Sequence, residues 1–373
     1  MQLLDDAGRL FGVVNVVDAL AALLFVSLLV AGVAVVGGFG DSGEAATRYA
    51  TVEFGTQPAY AAESVSVGDR SSVGPTAGNL TVTDLFVTGG NGSASATVYA
   101  RVAVEGRLVE RRNRTGTVFT YADRPLPVGA PLAFTGDDYT LDGRVTALAG
   151  GGESLDTATL PIRAETTVPV GVADAVSVGD EYRVAGRTVA TVTDVRSYPT
   201  TDPARRFLSL GLDLRTVADA GTQRFAGEPV TLGSTVPFRT DAYVLDASVV
   251  RRGDDTLSGE SVTTGATVSV ESVDPAVAAE LEPGVTETVD GTTLATVTAA
   301  ASENATVVVQ SEGGEIFARE HPVLEDVTVS LDLATRRTES GLRFHGRPLT
   351  VGGTVTLDFG TVRVTGTVTG VER

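Results

Sequence analysis

The chain carries two patterns of hydrophobic and polar positions, and they change abruptly near residue 40. From Ala19 to Gly40 there is no charged residue, a run of 22 apolar and small positions. That length predicts a helix able to cross roughly 30 Å of hydrocarbon. The residues before it include Asp5, Asp6 and Asp18 and only one arginine, Arg9, so the run reads as a retained anchor rather than a cleaved leader. The predicted layout is a cytoplasmic stub over 1–17, a transmembrane helix over 18–40 and a linker over 41–50. Asn15 and Asp18 sit at the membrane edge, where either side chain caps a helix start. Beyond the linker, short alternating runs such as Thr191-Val192-Thr193 and Val362-Arg363-Val364 recur between Gly and Asp turns. Period-two alternation of this kind predicts half-buried strands and hairpins. Short helical turns are expected only at Val172 to Val176 and Pro275 to Leu281.

The strands fall into internal repeats. Val178-Gly179-Asp180 leads to Gly186-Arg187-Thr188-Val189-Ala190-Thr191-Val192-Thr193, and Pro283-Gly284-Val285 leads, at the same spacing, to Gly291-Thr292-Thr293-Leu294-Ala295-Thr296-Val297-Thr298. Val67-Gly68-Asp69 begins a looser copy ending in Thr81-Val82-Thr83-Asp84. A second motif occurs three times, from Tyr121 through Pro125 to Gly129, from Phe225 through Pro229 to Gly233, and from Phe344 through Pro348 to Gly352. Each copy is followed by a strand, at Tyr139 to Val145, Tyr243 to Val249 and Val362 to Val368. The predicted fold class is therefore mainly β: the transmembrane helix, then three tandem small β-barrel or sandwich domains over 51–149, 160–251 and 262–373. Linkers are expected at 149–159 and 251–261. The two motifs of each unit also resemble each other, which implies an internal pseudo-twofold. Gly129, Gly233 and Gly352 are expected at positive φ, and Pro125, Pro229 and Pro348 are each expected to start an edge strand.

Charge changes the picture of the surroundings. The formal net charge is −19 and all 28 basic residues are arginine. Acid excess without lysine suits molar salt, where screening falls to about 3 Å and carboxylates solvate the surface. No basic stripe exists to neutralise phosphates, so nucleic acid is not an expected partner. There is no cysteine, which removes disulfides, thiolate metal sites and thiol nucleophiles. The asparagines settle orientation. Asn79, Asn91, Asn113 and Asn304 each open an acceptor sequon, whereas Asn15, before the apolar run, does not. The expectation is a cell-membrane protein with its N-terminus inside, its C-terminal ectodomain outside, and glycans on those four asparagines.

Catalytic chemistry is sparse. His321 and His345 occur only in the third copy, and His345 stands where the others have Ala122 and Ala226; surface or turn histidines are the favoured reading over a hydrolytic base. No metal-ligand spacing appears. Asp137-Asp138 and Asp254-Asp255 read as solvated acidic faces rather than calcium loops. Arg111-Arg112-Asn113-Arg114 reads as an exposed hairpin. No catalytic residue, cofactor or metal is predicted.

The run Leu4-Asp5-Asp6-Ala7-Gly8-Arg9-Leu10-Phe11-Gly12-Val13-Val14-Asn15-Val16-Val17-Asp18 resembles the start of the domain of unknown function 4330 family. His321-Pro322-Val323-Leu324-Glu325-Asp326-Val327, Gly346 to Gly352 and Gly366-Thr367-Val368 are similar to that family too. The resemblance implies a single-pass topology and an expanded ectodomain, with no assigned activity. The stretch Val176 to Ala190 also looks like the strand pattern of MCE-type lipid-transport barrels. Two functions are therefore carried forward. One is a non-enzymatic envelope scaffold or adaptor, held in the lipid bilayer by 18–40 and assembling with envelope or export proteins. The alternative is an MCE-like homo-oligomeric β-barrel protein moving lipid or polymer. An envelope hydrolase ranks third.

Overall fold

The computed structural model describes residues 9–10, 14–15, 43–72, 78–90, 95–110, 116–219, 221–310 and 316–372. The predicted membrane segment 18–40 lies outside them, as do Asn91, Asn113 and Arg111 to Arg114. No helix of the described residues is long and apolar enough to cross a membrane. Near the start, β1 (Arg9–Leu10) pairs antiparallel with β2 (Val14–Asn15), with Asn15 opposite Arg9. Asn15 is therefore a bridge residue, which replaces its reading as a helix cap.

Three antiparallel sheets with the same strand order follow. The second shows the plan. It contains β11 (Thr157–Pro169), β12 (Glu181–Val184), β13 (Arg187–Pro199), β14 (Arg205–Asp219), β15 (Thr222–Phe225), β16 (Glu228–Pro229), β17 (Thr235–Arg239) and β18 (Val244–Arg252), ordered β12-β13-β14-β11-β18-β17. β15 and β16 form a small side hairpin on β14. The first sheet repeats this with β3 (Gly43–Pro58), β4 (Arg70–Ser72), β5 (Asn79–Gly89), β6 (Ser95–Glu110), β7 (Thr117–Tyr121), β8 (Arg124–Pro125), β9 (Pro131–Thr135) and β10 (Thr140–Ala149). The third uses β19 (Glu260–Val273), β20 (Thr286–Val289), β21 (Thr292–Gln310), β22 (Ile316–Thr338), β23 (Gly341–Phe344), β24 (Arg347–Pro348), β25 (Thr354–Asp358) and β26 (Arg363–Val371). Residues 43–50, expected as linker, are the first half of β3. One short helix follows the first strand of each repeat: α1 (Ala59–Ser64), α2 (Val170–Ala173) and α3 (Pro275–Ala279). In α3, Asp274 accepts from the Ala276 amide and Pro275 opens the turn, a cap legible in the sequence. α1 carries no such signal.

Each sheet rolls into a half-barrel whose end strands are tied by a side chain. The Thr135 amide of β9 donates to Ser71 Oγ of β4 (3.1 Å), and the Asp358 amide of β25 donates to Glu287 Oε1 of β20 (3.2 Å). Such ties cover edges that would otherwise present unpaired amides. The interior is apolar: in the third sheet Leu281, Leu331, Leu333 and Leu357 pack with Val268 and Val297. The period-two pattern holds on β18, where Leu245, Ala247 and Val249 face inward. It fails on β14, where Phe207 to Leu212 are all buried. Both faces of that strand are covered, so alternation has no solvent side to report.

The two sequence motifs build the same turn. The amides of Gly68, Gly179 and Gly284 donate to the carbonyls of Val82, Val192 and Val297, at 2.8, 2.9 and 2.8 Å. Those of Gly129, Gly233 and Gly352 donate to Val145, Val249 and Val368, at 2.7, 2.8 and 2.8 Å. All six glycines have positive φ. Pro125, Pro229 and Pro348 occupy one equivalent place, each the last residue of a two-residue strand, so they close these edges rather than open them.

By contacts the chain divides into two compact units, Met1–Glu53, Val65–Leu85 and Ala100–Ser154 in one, and Phe54–Ser64, Phe86–Tyr99 and Leu155–Arg373 in the other. The second unit contains two complete repeats and part of the first.

Candidate functional site

Within the second unit, repeats join by one recurring device. The side hairpin of a repeat ends in a turn whose first residue has left-handed backbone, Ala226 at φ 52° and His345 at φ 49°. The Ala226 amide lies 3.4 Å from Thr88 Oγ1, and Gly227 lies against Thr97. One repeat later, His345 stacks on Tyr198 with ring centroids 5.0 Å apart, and a Cβ built on Gly346 would meet Phe207 at 2.8 Å. Thr88 and Tyr198 are equivalent positions, as are Thr97 and Phe207, so the joint is the same contact with different side chains. His345 is also 3.8 Å from Phe344 by ring centroid, and its Nε2 is 3.0 Å from Glu287 Oε2, off the direction of a hydrogen bond. The histidine is in a turn, as expected, but is 8% exposed, which corrects its surface reading. His321 takes a turn role, its Nδ1 accepting from the Val323 and Leu324 amides.

Beside His345 opens a cleft of about 320 Å³, lined by both the second and third sheets. Arg163, Glu165, Arg196 and Tyr198 come from β11 and β13, and Arg336 and Arg343 from β22 and β23. Arg163 is 2% exposed and fully engaged: Nη1 to Asp194 at 2.5 Å and to the Asp255 carbonyl, Nε to Ser209 Oγ, Nη2 to the Ser209 carbonyl. It pins the 251–261 linker to the sheet. Arg101 does the same in the first unit, donating to the carbonyls of Gly151 and Gly152 and to Thr51 Oγ1. Arg336 donates to the carbonyls of Leu257, Ser258 and Gly259. Arg196 approaches Asp194 and Asp290 only at 3.5 and 3.7 Å, and its buried Nε has no partner among the described residues. Burial pushes the Glu165 carboxyl up, opposed by the charges of Arg343, Arg163 and Arg347. Burial likewise raises the Tyr198 hydroxyl.

The chain matches the family model of a domain of unknown function, DUF4330, over residues 1–124 and 253–372. The chain belongs to the DUF4330 family. No curated protein and no solved structure matches it. In this DUF4330 chain the two matched stretches cover the start through β8 and the whole third repeat, and they leave out the middle repeat, as expected of repeated units.

The predicted positions separate cleanly. The six turn residues Pro125, Gly129, Pro229, Gly233, Pro348 and Gly352 lie in equivalent turns away from the cleft. Asn79 and Asn304 are exposed, their side-chain amides donating to Glu105 (3.1 Å) and Glu320 (3.0 Å). Asp254 pairs with Arg251 at 2.7 Å, while Asp255 turns inward and accepts from Thr193 Oγ1, so that acidic pair is half structural. No group of three or more metal-ligating side chains occurs among the described residues. The cleft arginines and Glu287 escaped sequence reading because each comes from a different strand. Only Arg163 left a trace, as a charge inside the apolar run Ile162-Arg163-Ala164.

Proposed function

We propose that this DUF4330 protein is a non-enzymatic, membrane-anchored scaffold or adaptor of the cell envelope, its repeats lying outside the membrane. The observation that carries this reading is the repeated joint: Ala226 on Thr88 and His345 on Tyr198 use one geometry to set successive repeats in one register. Repeats joined in this way add binding surface with copy number. In the third repeat the positions of Tyr198 and Phe207 are filled by Glu303 and Asp326, which pair across β21 and β22. Carboxylates there give an incoming turn no ring to stack on.

The anchor over 18–40, the outside location and glycans on Asn79, Asn91, Asn113 or Asn304 belong to the same proposal, supported by the apolar run and the sequons. An MCE-like path for lipid or polymer is less well served, since side chains fill the interior of the third half-barrel and a path would have to run between copies. The test is affinity purification of the full chain from native membranes. Stoichiometric recovery of one or more envelope proteins is the expected result; a homo-oligomeric ring without partners would favour transport instead.

A further inference from the structure

The cleft at the joint of the second and third repeats has a charge opposite to the protein around it. The chain has 47 acidic residues against 28 arginines, yet four arginines line this cleft with one glutamate, Glu165. Two of the four, Arg163 and Arg336, are spent on holding the linker. The other two face the opening with donors to spare. Arg196 has its buried Nε unpartnered, and Arg343 uses Nε and Nη2 on the Gly346 carbonyl, which leaves Nη1. His345, with 7% of its side chain exposed, lines the same cleft, its Nε2 turned to Glu287 Oε2 at 3.0 Å. Buried donors left unmade are costly, and a ligand that accepts from them recovers that cost. Val250, Leu257, Val289 and Leu294 supply apolar wall, beside the hydroxyls of Ser258, Ser261 and Thr292. A volume of about 320 Å³ falls within the size of small-molecule pockets.

We propose that this cleft binds an organic anion with an oxygen-rich head and a short apolar body, a phosphate or sulfate ester being the class that fits. The head accepts from Arg196 and Arg343, whose planar guanidinium groups match such oxygens. The body lies on Val250, Leu257 and Val289. The site lies where the second and third repeats meet, so it is independent of whether the protein carries a partner.

The experiment is calorimetric titration of the full chain, at constant high chloride, with hexyl phosphate as the probe. Two variants serve. Val250→Asp puts a carboxylate at a position 43% exposed on the cleft wall. Arg196→Gln removes the unpartnered donor. Saturable binding weakened about tenfold or more by either variant, with unchanged thermal stability of the unliganded protein, is the expected result. Competition by inorganic phosphate assigns the head to the arginines. Competition by phosphatidylglycerol vesicles would identify a lipid headgroup as the source, and its absence a free ester. No saturable binding, or binding indifferent to both variants, overturns the proposal.

Discussion

Tyr243 donates its hydroxyl to Asp180 Oδ2 at 2.6 Å, and the two residues that replace them in the third repeat, Val362 and Val285, both belong to its apolar core. The first repeat keeps the polar version, Tyr139 on Asp69. The same carboxylates also take the amides of Ser177 and Ser66. Within one chain, a buried polar pair has been exchanged as a pair, since removing one partner strands the other whereas removing both need cost little. Tyr243→Phe is expected to cost about 2 kcal/mol, typical of a hydrogen bond to a charged group. The double replacement Tyr243→Val with Asp180→Val should cost less than the sum of the two single changes. Denaturant unfolding of the four proteins in high salt measures this coupling, and strict additivity would refute it.

The same pairs set an alkaline limit. Burial, then the hydrogen bond and charge of the partnering aspartate, pushes the Tyr139 and Tyr243 hydroxyls well above the ordinary tyrosine value. In the folded protein both stay protonated where the unfolded chain ionises. Their contribution is therefore complete below about pH 10 and lost as pH rises beyond it. Stability followed by urea unfolding should hold to about pH 9 and then fall, and Tyr139→Phe combined with Tyr243→Phe should flatten that fall.

An acid limit follows from Asp358. Burial raises its carboxyl, but Arg363, the Gly360 amide and Arg206 outweigh burial and leave it below the usual carboxylate value. Arg206 reaches it from the second repeat at 3.2 Å, so this ion pair helps to hold the joint. Its contribution is present above about pH 4 and disappears as the carboxyl protonates below that. Asp358→Asn should reduce the loss of stability between about pH 4 and pH 3 relative to the unsubstituted protein; an unchanged acid profile would exclude this residue as a cause.

How much of this was legible in the sequence depends on whether a feature is local. Gly129, Gly233 and Gly352 were readable because a positive-φ turn demands glycine wherever the chain makes it. The repeats, the strands and the cap at Asp274 were readable for the same reason. The joint was not. Tyr198 and His345 are far apart in sequence, and nothing near His345 says that another repeat lies on it; an exposed turn was the natural reading. Residues 54–64 and 86–99 group with the second unit rather than with the rest of the first repeat, a non-local outcome that no local motif announces. Strand β3 begins earlier than the alternation suggests, since none of Gly43 to Arg48 is buried and they carry no inward pattern.

Gly233 offers a test of turn strain without steric conflict. Its φ is +82°, and a Cβ built there meets nothing within 4 Å. Any loss on substitution is then conformational. Gly233→Val is expected to cost on the order of 1–3 kcal/mol, and Gly233→Asn distinctly less, because asparagine tolerates left-handed backbone. Equal losses for valine and asparagine in chemical denaturation would assign the cost to something other than φ.

The joint itself can be interrogated at His345. Its ring lies between Phe344 and Tyr198, beside the buried Glu287. His345→Ala would restore the residue found at Ala226 and Ala122, all three at left-handed φ, so the turn has precedent for alanine. The loss should come from the two ring contacts and from Glu287, whose Oε1 still accepts from the Asp358 amide but whose Oε2 loses its neighbour. Aromatic pairs are worth about 0.5–1.5 kcal/mol beyond burial, so a drop of about 2 kcal/mol is expected. Adding Tyr198→Thr, which recreates the small side chain of Thr88, also removes the stack of Tyr198 on Phe207, but should cost less after His345→Ala than on its own, because the ring it shared with His345 has already gone. Unfolding of His345→Ala, Tyr198→Thr and the double variant decides it: full additivity would mean that Tyr198 and His345 stabilise the protein separately and that the stack is not what joins the repeats.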